Sequence, residues 1–293
     1  MNTAQATEAA TAPTTPAELL TEMRGPVMWL TINREERRNA ITVAMYAALA
    51  DAIEGAALAI ANRDRNVRAV VITGAGTRAF CAGADLQSGK SFKFDYSEPH
   101  AGFANLFRQA KQSTVPLIAR VNGACMAGGM GIMGMCDMAV ATPLAIFGLP
   151  EVKVGIFPAQ VLSVIGNLLP RRVLAEMCLT GEPITAAQAL EYRLINHVSE
   201  DVDAGVEWML GRMLDKSPAA IRRGLYTMKK IEAMAFEESM SFTESQIALF
   251  ALTQDAAEGL YRLVDAAYEK RSVAVSSNLH PASFDELMPK TLA

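Results

Sequence analysis

The segment Val121-Asn122-Gly123-Ala124-Cys125-Met126-Ala127-Gly128-Gly129-Met130-Gly131 follows an apolar run, Pro116 to Val121, that predicts a strand. It opens a small, methionine-rich helical stretch that reaches Met135. A helix start carries unpaired N–H groups and a partial positive charge. Such a place suits an oxygen that gains negative charge during a reaction. The same glycines would equally serve close helix packing, so the segment alone leaves both roles open.

Upstream, Val67 to Thr73 predicts another strand, and Ala69-Val70-Val71-Ile72 is apolar enough to be covered on both faces. Gly74-Ala75-Gly76 ends it, and Ala79-Phe80-Cys81-Ala82-Gly83-Ala84-Asp85-Leu86 follows. Small residues there let the backbone approach a ligand and offer it free N–H groups, although a plain tight turn has the same composition. Downstream, Met138 to Ala141 and Ala145 to Gly148 predict short strands, and Leu149-Pro150-Glu151 follows. Glu151 is a lone carboxylate in an apolar stretch. Apolar surroundings raise a carboxyl pKa and fit it for proton transfer near neutrality. An exposed or ion-paired glutamate is the competing role.

Further out, Val27 to Ile32 predicts a strand, and Asn33 to Arg38 a charged connection. Apolar residues recur at helical spacing from Asn39 to about Ala61. Asn62 to Asn66 is a polar turn, Gln87 to His100 an aperiodic loop, and Phe103, Leu106 and Phe107 suggest a helix. From Gln160 onward helices dominate, at 160–168, 171–178, 185–192, 201–215, 217–231, 236–250 and 254–270. The order predicts an α/β core of sheet and helices, residues 18–200. A helical region, 201–271, follows it, with tails at 1–17 and 272–293. The apolar surface of the last helices predicts self-association.

The 293 residues are 51% hydrophobic and 20% charged, a globular composition. Length alone allows two domains or one large α/β domain. A net charge of −4 gives no general attraction to nucleic acid or to an anionic membrane. The four cysteines form no CxxC pair and none of the three histidines adjoins them. Neither a zinc site nor a disulfide framework is expected, and the natural compartment is a reducing cytoplasm. No apolar stretch reaches membrane-spanning length, and the N-terminus lacks the pattern of a signal peptide.

Taken together and in this order, the three segments resemble the enoyl-CoA hydratase/isomerase, or crotonase, superfamily over roughly residues 24 to 271. Further support comes from Asn33-Arg34 with Arg38-Asn39-Ala40, from Cys136-Asp137, and from Leu179-Thr180-Gly181-Glu182-Pro183-Ile184-Thr185-Ala186. The resemblance implies a crotonase-like spiral of ββα units with a helical C-terminal region, assembled as a homotrimer or as a hexamer of paired trimers. It implies an acyl-CoA thioester substrate, with coenzyme A arriving as part of it and no separate cofactor or metal. It implies that the amides of Ala84 and Gly128 hold the thioester oxygen and that Glu151 is the acid–base group. Ala82, Asp85, Leu86 and Gln87 would line the substrate side, and Arg34 or Arg38 would meet coenzyme A phosphates.

One departure bears on the reaction. The family's hydratases carry a second glutamate on the glycine-rich helix, and an ungapped match puts Gly131 there. Two glutamates readily hold and split a water, whereas one can still shuttle a proton between two carbons. The departure pulls toward isomerisation, yet hydration of a 2-enoyl-CoA, the commonest activity in the family, is the first expectation, with Gln160 a candidate to orient the water. Double-bond isomerisation with Glu151 as the sole shuttle is the alternative, and a non-catalytic acyl-CoA-binding homologue is the second. The methionines 126, 130, 133 and 135 suit an adaptable core or an acyl pocket.

Overall fold

A computed structural model describes residues 17–61, 67–85 and 102–251. The predicted turn 62–66, loop 87–100, helix 254–270 and C-terminal tail lie outside the described residues, as do residues 1–16, Leu86 and Gln87.

The chain begins with an antiparallel hairpin, β1 (Leu19–Arg24) and β2 (Val27–Ile32), turned at Gly25. β2 has the predicted bounds. β1 was not predicted, because most of its side chains are exposed and leave no apolar alternation to read. The first helix, α1 (Val43–Ala61), starts four residues later than the periodicity from Asn39 suggests. Arg38 and Asn39 are left-handed, at φ 52° and 56°, which no helix tolerates. The Asn39 side chain explains the detour. Fully buried, it donates to the carbonyls of Ala75 (3.0 Å) and Ala79 (2.7 Å) and accepts from the Arg34 amide (3.1 Å).

The remaining order is β3 (Ala69–Gly74), β4 (Ala79–Cys81), α2 (Gly102–Gln112), β5 (Leu117–Val121), β6 (Ala124–Met126) and α3 (Gly128–Gly134). Then come β7 (Met138–Ala141), β8 (Ile146–Gly148), a 3-10 turn (Pro150–Val154), α4 (Ala159–Ile165) and α5 (Arg171–Thr180). The last elements are β9 (Ile184–Thr185), α6 (Ala186–Glu191), β10 (His197–Val198), α7 (Val202–Leu214), α8 (Pro218–Ile231) and α9 (Phe236–Ala251). Start signals account for three of these helices. Thr185 and Gln188 form a capping box on α6, Asp201 caps α7, and Ser217 caps α8 ahead of Pro218.

The strands form two sheets. The larger has the order β1-β2-β3-β5-β7-β10 and is parallel except at β1; the smaller has the order β4-β6-β8-β9 and is parallel except at β9. Three times in succession the chain lays one strand in the large sheet and the next in the small one: β3 then β4, β5 then β6, β7 then β8. That alternation winds the spiral, with a helix after each of the first two pairs. β3 is buried along its whole length, as its composition predicted. Ala69 and Val71 pack with Val206, Met209 and Leu210 of α7, while Val70 and Ile72 join Leu49 and Ile53 of α1 on the other face. α8 has no fully buried residue, yet Lys229 pins it to the core. Its ammonium donates to the Ala110 and Ser113 carbonyls and pairs with Asp137 at 2.9 Å.

Candidate active site

Because β4, β6 and β8 are parallel neighbours in the small sheet, their carboxyl ends stand side by side. The segments that leave those ends are Ala82-Gly83-Ala84, Ala127-Gly128 and Leu149-Pro150-Glu151. The carboxyl edge of parallel strands is where sheets of this kind hold ligands. Topology thus gathers the three segments that the sequence singles out.

Two buried asparagines fix the first segment. Asn122 donates to Gly76 O (2.7 Å) and Ala79 O (3.2 Å) and accepts from the Gly74 amide (3.2 Å). With Asn39 it holds the Gly74–Ala79 connection that carries the chain from one sheet to the other. Beyond β4, Ile41 N donates to Gly83 O (2.8 Å) and Asp85 N donates to Ile41 O (2.9 Å). In an extended segment the N–H between two such groups points the opposite way. The Ala84 N–H therefore turns away from Ile41, toward the side where β6 and α3 lie.

The second segment meets it there. Gly83, at φ 97°, is so close that a Cβ built on it would stand 2.8 Å from the Ala127 Cβ and 3.3 Å from the Gly128 amide nitrogen. A side chain at Gly129 would strike the Cys81 carbonyl oxygen at 2.3 Å, so α3 packs directly on the end of β4. Gly128 is the first residue of α3. Among the described residues neither the Ala84 nor the Gly128 N–H has an acceptor.

The third segment brings Glu151, which lies in the 3-10 turn and is 9% exposed. Its Oε2 is buried without a hydrogen-bond partner among the described residues. Desolvation pushes its carboxyl above the ordinary value; burial, and after it the Glu151 charge, raises the Cys178 thiol on α5. An orphaned buried carboxylate oxygen is costly and asks for a ligand or a proton.

The other predicted positions differ in their surroundings. Ala82 is half-buried and Asp85 is buried. Arg34 is taken up inside the chain: Nη1 donates to Ala40 O (2.6 Å), Nη2 to Asp85 (2.8 Å), and Nε pairs with Glu18 (3.0 Å). Gln160 is exposed in the first turn of α4. At Gly131 a built Cβ would meet Phe107 Cζ at 2.6 Å and Phe103 Cζ at 3.1 Å, so aromatic rings of α2 fill the space beside this glycine. These rings form a run with Tyr46 of α1, at centroid distances of 4.6 Å (Tyr46–Phe103) and 4.3 Å (Phe103–Phe107). Sequence reasoning gave no role to Tyr46, Asn39 or Asn122. The only signal was that both asparagines sit in the motifs quoted above.

All four cysteines are free thiols. Among the described residues no group of three His, Cys, Asp or Glu side chains could hold a metal ion, and no helix is long and apolar enough to cross a membrane.

Comparisons with known proteins bear on the family and the fold. The 2,3-dehydroadipyl-CoA hydratase of Escherichia coli is 30% identical over 254 residues, covering 83% of this chain and 94% of the relative. Enoyl-CoA hydratase EchA19 of Mycobacterium tuberculosis is 33% identical over 252 residues, covering 83% and 91%. The crystal structure of an enoyl-CoA hydratase from Mycobacterium smegmatis superposes with a TM-score of 0.78 at 30% identity, covering 88% of this chain and 98% of that one. The family model described as enoyl-CoA hydratase/isomerase matches residues 22–272, and the chain belongs to that family.

Proposed function

We propose that the protein hydrates a 2-enoyl-CoA thioester. The Ala84 and Gly128 amides would bind the thioester oxygen and stabilise it as it becomes an enolate oxygen. The Glu151 carboxylate would take a proton from water while the water oxygen bonds the β-carbon. It would then return that proton to the α-carbon, giving a 3-hydroxyacyl-CoA. Charge and proton balance, and coenzyme A leaves as it came, joined to the acyl group.

One observation carries this reading: on the third of three adjacent strand ends stands a buried carboxyl oxygen, and on the first two stand amides, all without a partner among the described residues. The names of the similar proteins add support, since they act on acyl-CoA substrates as hydratases. A second reading, double-bond isomerisation with Glu151 alone moving the proton, is favoured by the ring-filled space at Gly131.

Incubation with a panel of enoyl-CoAs separates them. Hydration adds the mass of one water, and isomerisation moves the double bond without changing mass. Binding without either change would leave a non-catalytic acyl-CoA-binding homologue. Val154 (65% exposed) and Phe157 (49%), close in sequence to Glu151, suit burial between subunits of a trimer. Light scattering coupled to size-exclusion chromatography checks that assembly.

A further inference from the structure

Gly128 and Gly131 of α3 have no side chains, so neighbouring elements supply what stands over these two positions. The three atoms nearest a Cβ built on Gly131 are all phenyl carbons, from Phe107 and Phe103. The three nearest a Cβ built on Gly128 are Tyr46 Oη (3.5 Å), Gly83 Cα (3.6 Å) and Phe103 Cζ (3.6 Å). Among these neighbours the phenol oxygen is the one polar side-chain atom. Tyr46 comes from α1, separate from the segment that carries Glu151. It is 8% exposed and its ring packs against Phe103. Among the described residues its hydroxyl has no hydrogen-bond partner. A tyrosine hydroxyl can both donate and accept, and this one stands beside Gly128, so it can meet a ligand atom held there.

We propose that the Tyr46 hydroxyl holds the water that adds to the β-carbon, donating its O–H to the water oxygen. The inference rests on the hydratase reading and supplies the part that a single glutamate lacks. Glu151 takes one proton from that water and passes it to the α-carbon, while Tyr46 keeps its own proton throughout. Burial pushes the Tyr46 phenol well above its ordinary value, so it is a neutral donor at physiological pH.

Two reactions of the full-length protein, each run for wild type, Tyr46→Phe and Tyr46→His, test this. Hydration of a 2-enoyl-CoA needs the water. Exchange of the α-proton of a saturated acyl-CoA in deuterated buffer needs only Glu151 and the two amides. Tyr46→Phe is expected to lower kcat for hydration by about 100-fold, the low end for a group that handles water or a proton in the transition state. KM, α-proton exchange and the thermal midpoint should stay near wild type, and Tyr46→His, which keeps a donor, should recover part of the rate. If Tyr46→Phe hydrates at the wild-type rate while exchange persists, the role of Tyr46 falls and the proposed function stands. If the wild-type protein neither exchanges the α-proton nor adds water, the function falls and takes the role of Tyr46 with it.

Discussion

The amide nitrogen of Ala127 donates to the carbonyl oxygen of Gly148 across 2.9 Å. This bond joins the end of β6 to the end of β8, one residue before Gly128 and three before Glu151. The amide and the carboxyl are thus placed by the same edge of the small sheet, and not by loops that could drift apart. Positioning on sheet ends gives a reacting group the small tolerance that catalysis needs.

Gly83→Ala tests the juxtaposition of the two amides. A methyl group there meets the Ala127 Cβ at 2.8 Å, and φ 97° is unfavourable for alanine. The variant is expected to lose about 1–3 kcal/mol of stability, the usual range for overpacking and backbone strain. Because the shift moves Ala84 against Gly128, kcat for acyl-CoA turnover should drop by about 100- to 1000-fold, as when an oxyanion donor is removed. Thermal melts and steady-state kinetics read the two effects separately.

Glu151→Gln tests the carboxyl through pH. Desolvation raises the Glu151 pKa in the folded state, so the folded protein binds the proton more tightly than the unfolded chain does. Stability then falls as pH rises from the ordinary carboxylate range through the raised value. Glutamine carries no charge and escapes that loss. The variant should melt higher than wild type at pH 7–8, with the difference vanishing near pH 4, and it should lose hydration and α-proton exchange at every pH. In the wild type, the acid limb of kcat/KM should lie above the ordinary carboxylate range, because the attacking step needs the ionised form.

Much of this was readable from sequence, for reasons that particular residues show. β3 was legible because all of it is buried, and α1 because Met45, Leu49 and Ile53 mark one face. The three site segments were legible because each follows an apolar strand. The small sheet was only partly legible, since β4, β6 and β8 have three residues each and β9 two, too few for a period to register. The roles of Asn39 and Asn122 depend on carbonyls 36 to 46 residues away, and local pattern holds no trace of such bonds. Tyr46 had no role in the sequence reading, because only the folded chain brings its hydroxyl to Gly128.

Arg34 reads differently once its partners are known. The sequence resemblance offers it to coenzyme A phosphates, whereas its guanidinium joins Glu18, Asp85 and the Ala40 carbonyl at 13% side-chain exposure. Arg34→Ala removes a guanidinium that pairs with the largely buried Asp85 and with Glu18 and donates to the Ala40 carbonyl. The expected loss is about 2–3 kcal/mol, somewhat below that of a fully buried pair. Arg34→Lys should recover little, since an ammonium cannot reproduce the planar fork. A fall in the thermal midpoint, with acyl-CoA affinity changed less than about threefold in the folded fraction, would assign Arg34 to the scaffold by the arithmetic of binding free energy.

Gly131→Glu asks whether a two-carboxylate site can simply be restored. The new Cβ would lie 2.6 Å from Phe107 Cζ and 3.1 Å from Phe103 Cζ, in a space with no polar side-chain atom among its nearest neighbours. Overpacking of this kind costs about 1–3 kcal/mol, and a carboxylate among phenyl rings adds a desolvation penalty. The single variant should therefore melt lower than wild type and gain no hydration rate. Gly131→Glu with Phe107→Ala removes the nearest ring and opens room for the carboxyl and a water. The double variant should recover most of the melting loss relative to Gly131→Glu and hydrate faster than it does. The non-additivity of the double-mutant cycle measures how far the aromatic ring, and not the helix backbone, keeps a second acid out of this site.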